Sequence, residues 1–577
     1  VSGAGAQGGK VLVLGDDTRS FLAIVRSLGR QGVAVHAAPA NFAAPALRSR
    51  HIAAIHRLPP YMGDGAEWLA AVEALLVAER FEMVIPCDET TLLPFWHHRA
   101  RLELLSRIGI PGDRAIEVLF DKHATRELAA SLGVAVAPGR LPRPDDTPEG
   151  LLAELGRPVV VKPRRSYTEG RLHSRAKVQV AGDAAALAQA LARLDPEETL
   201  LEAFRPGHGA GVSVLAHEGR VLQAFEHHRV RETGSGSFYR VSAPVTPALG
   251  AACAAMVEAV GYTGVAMFEF RLGDTAQDWV LLEVNARPWG SLPLPVGIGV
   301  DFPYRWYRLV VHGEETAPVV YPAGRYGRNL LPDIRGILAE AKEHDGGAAS
   351  RAWLVLRRFA EMARVLTGRE RHDVLVADDP RPGLVELREA AALVLERVAT
   401  WLPGAARRRR QRALAALARA RAAAHAARAP LRVVFVCQGN ICRSPFAAAQ
   451  LRARLEEGND VEVASFGMMP RPGRTTPELG LAAAAARGID LTPHRSAWFS
   501  PEEAARAGVV LVFDEINRQA LHDRYPALAA PVLFLSDFAD PPLPRIDDPV
   551  DGDRAVFDAA YAEIARAVDG LAAELRR

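Results

Sequence analysis

Residues 431–445 read Leu-Arg-Val-Val-Phe-Val-Cys-Gln-Gly-Asn-Ile-Cys-Arg-Ser-Pro, and this stretch decides the fold of the C-terminal part of the chain. Leu431 to Val436 is a short, almost continuous apolar run, which predicts a strand buried on both faces. Cys437 follows it directly, then a polar loop, then a helical pattern. Ser444 suits the helix N-cap, and Pro445 suits the first helical position, where a missing N–H costs nothing. A strand, a tight loop and a helix N-terminus in this order bring successive backbone N–H groups to one point. That is an anion nest, able to hold a phosphate dianion. The same positive field favours a thiolate over a thiol at Cys437. Arg443, six positions on, can fold back as a planar bidentate clamp on phosphoryl oxygens. The plainer alternative is a buried structural thiol beside a chance C-x5-R.

Outward from this stretch, apolar runs at Val461–Ala464, Val509–Phe513 and Val532–Leu535 alternate with helical patterns. That alternation predicts a parallel sheet with crossover helices. The run V-C-x-G-N-x-C-R-S-P resembles the low-molecular-weight protein tyrosine phosphatase family, and the resemblance extends over residues 431–577. Ser465 (in ASFG) and His494 (in TPHR) fall where that family braces its phosphate loop. Asp548-Pro549 resembles its acid motif. The resemblance implies a doubly wound, four-stranded parallel sheet and a two-step hydrolysis of a phosphotyrosine protein or a small phosphoester. Cys437 would attack phosphorus while Arg443 and the loop Gln438, Gly439, Asn440, Ile441 and Cys442 stabilise the equatorial oxygens. Asp548 would protonate the leaving oxygen and then activate water. Asn440 would hold the loop backbone, and Ser444 would stabilise the thiolate. Two departures stand out. Val550-Asp551 replaces the aromatic residues usual after Asp-Pro, and Asp547 adjoins Asp548, so the acid's identity stays open between them. No cysteine follows Cys442, which argues against the redox relay of arsenate reduction. Cys442 itself is either a reversible disulfide partner of Cys437 or a packed small residue.

In the N-terminal part, apolar runs at Val11–Gly15, Val33–Ala38 and Val84–Pro86 alternate with helical patterns, which predicts another parallel sheet. Its first turn, Gly15-Asp-Asp-Thr-Arg-Ser20, lacks G-x-G-x-x-G and argues against a dinucleotide site. Further on, Glu283 and Asn285 lie two apart on one predicted strand and share a side, with Glu269 on a neighbouring strand. Three oxygen donors on adjacent strands suit Mg2+, and an acid within a core strand is costly unless paired or coordinated. A solvated strand face is the alternative reading of this cluster alone. Glu283-Val-Asn-Ala-Arg-Pro-Trp-Gly-Ser resembles the ExNxR motif of the ATP-grasp superfamily. Val160-Val-Lys-Pro163 with the loop Arg164–Arg171 resembles its phosphate strand and lid, and Asp121-Lys122 its first nucleotide lysine. Leu201-Glu-Ala-Phe followed by Gly207-His-Gly resembles the adenine and ribose hinge. The resemblance covers about Lys10–Gly313 and implies ATP bound by Lys122, Lys162, Glu202 and His208. It further implies Mg2+, with Mn2+ as substitute, on Glu269, Glu283 and Asn285, and Arg287 stabilising transition-state charge. The expected chemistry joins a small carboxylate to an amine through an acyl phosphate. Segments Phe225–Glu232 and Ser237–Ser242 resemble the substrate side of carbon–nitrogen ligases; the alternative is two hairpin strands with solvated charges.

The 577 residues, 49% apolar and 24% charged, exclude wholesale disorder, and no stretch of 18 uncharged apolar residues is present. Four scattered cysteines exclude a disulfide scaffold, and Val1–Lys10 lacks the apolar core of a secretory leader, so a cytoplasmic setting is expected. The net charge of +2 conceals eight arginines and no acid between Gly404 and Arg428. This Ala/Arg-rich helix is expected to be a solvated spacer, or to touch an anionic surface weakly. Lysine occurs five times against 65 arginines, so its presence at both ATP-grasp positions is informative. The expected organisation is an α/β chain in five parts: tail 1–9, a Rossmann-like domain 10–112, ATP-grasp 113–312, a helical linker region 313–430, and phosphatase 431–577. It reads as a ligase fused to a phosphatase. The alternative reading makes the ATP-grasp unit a ligand-binding regulator, and nucleic-acid binding has least support.

Overall fold

The apolar run at the phosphate loop forms strand Leu431–Cys437 in the computed structural model, every residue of it buried. The structure describes residues 9–42, 44–167, 172, 178–192, 195–233, 236–275, 277–344, 347–388, 390–391, 405–455, 460–469, 472–525, 528–543, 545–550 and 552–576. The chain divides into two units, Val1–Leu387 and Arg388–Arg577. Among the described residues no helix is long and apolar enough to cross a membrane.

In the C-terminal unit, strands Val461–Gly467, Leu431–Cys437, Val509–Val512 and Val532–Phe534 lie in that order, all parallel. The order matches the doubly wound expectation. It leaves the carboxyl end of the Cys437 strand at the point where crossovers diverge to either side, the usual ligand crevice of such sheets. Helices Arg443–Arg454 and Arg554–Arg576 cover one face, with Phe446 stacked on Tyr561 at 4.0 Å between centroids. The Ala/Arg helix, Ala405–Ala426, is part of this unit rather than a spacer. Ala413 and Leu417 are buried in its core, Arg409 pairs with Asp537 at 2.9 Å, and Arg421 donates to the Glu574 carbonyl at 2.9 Å. Ala and Leu one turn apart suffice for a narrow apolar stripe once arginine stems cover its flanks.

The N-terminal unit contains three sheets. The first is parallel, ordered Ile52–Ile55, Ala34–Ala38, Lys10–Leu14, Met83–Pro86, Arg107–Ile108. Gly15 ends its first strand at φ +144°, where a Cβ would meet the Cys87 side chain at 3.1 Å. The next helix, Ser20–Arg30, has its N-terminus occupied by Asp17, which accepts from the backbone N–H groups of Arg19 (2.7 Å) and Phe21 (3.1 Å). A carboxylate of the chain itself thus holds the position a pyrophosphate would take, in line with the missing glycine pattern. The second sheet, Gly139–Arg140, Thr199–Ala203, Val159–Pro163 and Gln179–Ala181, is antiparallel. The third has seven strands: Trp279–Asn285, Gly264–Leu272, His208–His217, Arg220–Thr233, Gly236–Ala243, Tyr326–Arg328 and Glu370–His372.

The last two strands correct the expectation of a helical linker over 313–430. Residues up to Leu387 belong to the N-terminal unit, because buried charges tie them there. Arg240 pairs with Asp373 and Arg26 of the first helix with Asp379 at 2.9 Å, while Arg328 pairs with Glu370 at 2.6 Å between the last two strands themselves. The solvated-charge reading of 225–242 fails for the same reason: Glu226, His227 and Arg240 are all buried. The tail over 1–8 lies outside the described residues.

Asp379 is 1% exposed in its side chain and Arg26 is 4% exposed, whereas the neighbouring Asp378–Arg30 pair is 50% and 34% exposed. Asp379→Ala should therefore cost about 3–5 kcal/mol, while Asp378→Ala should cost under about 1 kcal/mol. Urea denaturation followed by intrinsic fluorescence separates the two; equal midpoints would contradict the role of the Arg26–Asp379 pair.

Candidate functional site

The phosphate loop is organised around Asn440, which is completely buried and has φ +51°, a left-handed conformation costly for any residue but glycine. Its neighbours hold it there. The Asn440 backbone N–H donates to Cys437 Sγ at 3.2 Å. Its Nδ2 donates to Ser444 Oγ (2.9 Å) and Ser465 Oγ (3.1 Å), and its Oδ1 accepts from the Ala497 backbone N–H at 2.8 Å. His494 Nε2 lies 2.8 Å from the Asn440 carbonyl oxygen. Burial lowers the His494 pKa, so the neutral ring donates its Nε2–H to that carbonyl. Ser444 Oγ is 3.0 Å from Cys437 Sγ. The helix itself begins at Arg443 with Cys442 at its cap, so Ser444 is not the N-cap expected; its hydroxyl is spent on the thiol and on Asn440. The Cys442 thiol, also buried, is pushed well up by burial and stays protonated.

Arg443 is 2% exposed and folds back over the loop. Its Nη1 donates to Asp514 Oδ2 (2.5 Å) and to the Ile546 carbonyl (3.1 Å), and its Nη2 donates to Asp548 Oδ2 (2.5 Å). Burial alone would depress this guanidinium, but Asp548, Cys437 and Asp514 together hold its pKa above the usual value. Of the two candidate acids, Asp548 faces the loop. Asp547 is 69% exposed and pairs with Arg545 at 2.6 Å. Val550, at the position of the missing aromatic, is exposed, and Asp551 lies outside the described residues.

In the N-terminal unit, Lys122, Glu202, Glu283, Asn285 and Arg287 line one solvent-open cleft. Lys122 opens helix Lys122–Ser131, capped by Asp121, and its Nζ donates to Ser166 Oγ at 3.0 Å. Lys162 is ion-paired with Glu202, which Arg126 approaches to 3.9 Å. Glu269 stands opposite Glu283 in the ladder, with Met267 opposite Asn285, so the three expected metal ligands gather on adjacent strands. Asn285 Nδ2 donates to Glu269 Oε1 at 3.2 Å, and Arg229 pairs with Glu269. Burial raises the Glu269 pKa against the pull of Arg229, and Glu283 raises it further. Two facing carboxylates with an amide oxygen beside them fit a hard divalent cation. Arg287 is held by Glu89, with Nη2 3.1 Å from Oε1. His208 is exposed at the start of its strand, near the His228 ring, and lies outside the described cleft lining, as Lys162 and Glu269 also do; those two reach the cleft through Glu202 and Asn285. Gly207 precedes it at φ +121°. Of the lid loop Arg164–Arg171, residues 168–171 lie outside the described residues; Arg164 is anchored to Asp121 at 2.6 Å.

Sequence reading missed several partners. Asp514 caps helix Glu515–Arg524 and clamps Arg443; its signal was an acid at the carboxyl end of the strand next to Cys437. Arg474 donates to the Gly439 carbonyl at 2.5 Å from a loop with no signal of its own. Glu89 and Arg229, which hold Arg287 and Glu269, could be found only from the tertiary pairing.

Residues 432–577 match the family described as low molecular weight phosphotyrosine protein phosphatase, and residues 195–326 match ATP-grasp in the biosynthetic pathway with Ter operon. A probable low molecular weight protein-tyrosine-phosphatase EpsP of Ralstonia nicotianae is 32% identical over 144 residues, covering 25% of this chain and 95% of that protein. A protein-arginine-phosphatase of Geobacillus stearothermophilus is 32% identical over 147 residues, 26% of this chain and 97% of the relative. A D-alanine–D-alanine ligase of Acidiphilium cryptum is 30% identical over 221 residues, 35% of this chain and 70% of the ligase.

The geometry at Arg443 separates the two neighbouring acids. Asp548→Ala should slow aryl phosphates with poor leaving groups by about 10²–10⁴-fold and those with good leaving groups far less. Asp547→Ala should show little such dependence. The check is kcat/KM across an aryl phosphate series; a steep dependence in Asp547→Ala alone would reverse the assignment.

Proposed function

We propose, for a chain that belongs to the low molecular weight protein-tyrosine-phosphatase family through residues 432–577 and carries an ATP-grasp unit ahead of them, two reactions run by two separate sites. One hydrolyses a phosphomonoester through a cysteinyl phosphate. The other uses Mg-ATP to ligate a carboxylate to an amine. The observation that carries this reading is that each set of reactive side chains is complete within its own unit.

In the phosphatase, the Cys437 thiolate attacks phosphorus and the P–O bond to the leaving group breaks. The loop N–H groups and Arg443 hold the three equatorial oxygens. The phosphoryl group competes with Asp548 for Arg443 Nη2, while Asp514 keeps Nη1 aimed at the loop. Asp548, released from that pair, takes up a proton from solvent or from a singly protonated phosphoester and passes it to the departing oxygen. It then takes a proton from the water that cleaves the P–S bond. Ser444 and the Asn440 N–H stabilise sulfur as the leaving thiolate in this second step. Gln438, Ile441 and Cys442 complete the loop, and Ser465 and His494 brace it through Asn440. The substrate is a phosphoprotein or small phosphoester. The mouth lacks the usual aromatic pair, and the relatives include both a tyrosine and an arginine phosphatase, so phosphotyrosine is one of two side chains worth testing.

In the ligase, Lys122 and Lys162 bind the phosphates of ATP, and Lys162 leaves Glu202 to do so. Glu202 then faces the adenine edge, assisted by Arg126. Glu269, Glu283 and Asn285 would hold Mg2+, with Mn2+ able to replace it; the ion would neutralise charge on the phosphate oxygens. The substrate carboxylate displaces ADP from the γ-phosphorus, and the amine displaces phosphate from the acyl phosphate. Arg287, oriented by Glu89, stabilises the transferring phosphoryl group. A cytoplasmic setting suits both an ATP-dependent ligase and reduced, free cysteines. The exposed Arg407, Arg408, Arg412 and Arg419 leave room for weak contact with an anionic surface.

Glu283→Gln should abolish ADP formation from ATP in the presence of acid and amine substrates while leaving aryl phosphate hydrolysis unchanged. Colorimetric phosphatase and coupled ADP assays on the same preparation test this. Joint loss of both activities would contradict separate sites. ADP formation independent of any amine would instead make the N-terminal unit a nucleotide-binding regulator.

A further inference from the structure

Away from both sites, the first sheet of the N-terminal unit gathers two imidazoles and a carboxylate from three elements. His36 sits in strand Ala34–Ala38, His56 directly follows strand Ile52–Ile55, and Glu79 ends helix Ala66–Glu79. His36 Nδ1 lies 2.8 Å from His56 Nε2 and 3.9 Å from Glu79 Oε2, and the three donor atoms all lie within 4.8 Å of one another. The two rings lie edge to edge, their planes 20° apart and their centroids 5.0 Å apart, and Phe81 packs edge-on against both, at 5.2 and 6.1 Å. His36 is 9% exposed. Lys10 Nζ already places a positive charge on Glu79, at 2.7 Å.

We propose that His36, His56 and Glu79 form a binding site for a zinc-class divalent ion, with water in the fourth position. Two imidazole nitrogens and one carboxylate are a standard zinc donor set, with metal–ligand distances of about 2.0–2.2 Å. Tetrahedral angles at those distances put two nitrogens about 3.3 Å apart. The imidazoles therefore open by roughly half an ångström and turn so that their facing lone pairs converge, and Glu79 closes on His36 by a similar amount. One imidazole now donates its N–H to the other. On binding, that proton moves to the same ring's other nitrogen, so both facing nitrogens present lone pairs and no proton leaves the neutral rings. The three donors come from a strand, a strand end and a helix end, so the backbone fixes their spacing before any ion arrives. Lys10 is the built-in competitor. It is partly exposed, its ammonium neutralises the same carboxylate, and it must swing away for the ion to bind.

That competition gives the test its direction. The full-length chain is stripped with chelator and equilibrated with zinc alone in dialysis, then with cobalt to read the visible spectrum of a tetrahedral site. Zinc held elsewhere, at thiols or at the ATP cleft, is common to all variants and cancels in the comparison. His56→Gln keeps a hydrogen-bonding side chain against His36 and should lose one zinc equivalent together with its cobalt band. Lys10→Met should bind that equivalent about tenfold more tightly, since a like charge a few ångströms away has been removed. Unchanged stoichiometry in His56→Gln, or no tightening in Lys10→Met, would overturn the proposal and leave a hydrogen-bonded histidine pair beside an ion pair.

Discussion

A buried guanidinium must be matched by carboxylates, because taking an ion out of water costs several kcal/mol unless a counter-charge and hydrogen bonds replace the solvent. This chain, with 65 arginines, meets that constraint again and again. Arg26 finds Asp379, Arg240 finds Asp373, and Arg328 finds Glu370 and Asp333. Arg443 finds Asp514 and Asp548. In each case burial makes the pairing obligatory rather than decorative. The first two bind residues 373–379 to the earlier part of the N-terminal unit, and the third joins elements within residues 326–387. The fourth assembles the phosphatase site from three separated segments.

The same constraint gives the phosphatase its chemistry. A guanidinium fixed on one side by Asp514 and on the other by Asp548 is aimed at the loop before substrate arrives. An incoming phosphoryl dianion offers a better partner than one carboxylate oxygen, so binding frees the acid as it occupies the clamp. The loop below is equally constrained: Asn440 holds a left-handed backbone because its amide, its carbonyl oxygen and its own N–H are all bonded. In the ATP cleft the balance runs the other way. Glu269 and Glu283 face each other across a strand ladder with Arg229 as partial relief, and that excess of negative charge is what a magnesium nucleotide would satisfy.

Much of this was legible from local pattern. Strand runs such as Leu431–Val436 and Val509–Phe513 are short, apolar and bounded, so their existence and parallel arrangement could be read directly. Cys437, Asn440 and Arg443 could be read because a phosphate nest requires contiguous backbone. Glu283 and Asn285 could be placed on one side of a strand, next to Glu269, because strand period fixes which residues share a face, whereas Lys122 and Lys162 were expected only from the resemblance to the ATP-grasp superfamily. Long-range pairing was not legible. Tyr326–Arg328 and Glu370–His372 are three-residue strands that exist through long-range backbone pairing, and nothing local in the sequence distinguishes Asp379 from Asp378. Ser444 was misplaced for a related reason. A serine before proline favours a cap only if its hydroxyl is free. The Ala/Arg helix was misread as solvated because its packed stripe of Ala413, Leu414, Leu417, Ala420 and Ala424 consists mostly of alanines.

The claim on which the account turns is that Cys437, in the Asn440 and Arg443 framework, is the group that accepts phosphorus. Rapid quenching of the full-length chain during turnover of an aryl phosphate labelled at phosphorus, followed by peptide mapping, measures this directly. The expected result is a burst of protein-bound label confined to the peptide that contains Cys437, in a base-stable, iodine-labile thiophosphate linkage. Label on a histidine or carboxylate peptide, or turnover without any protein-bound label, would contradict it.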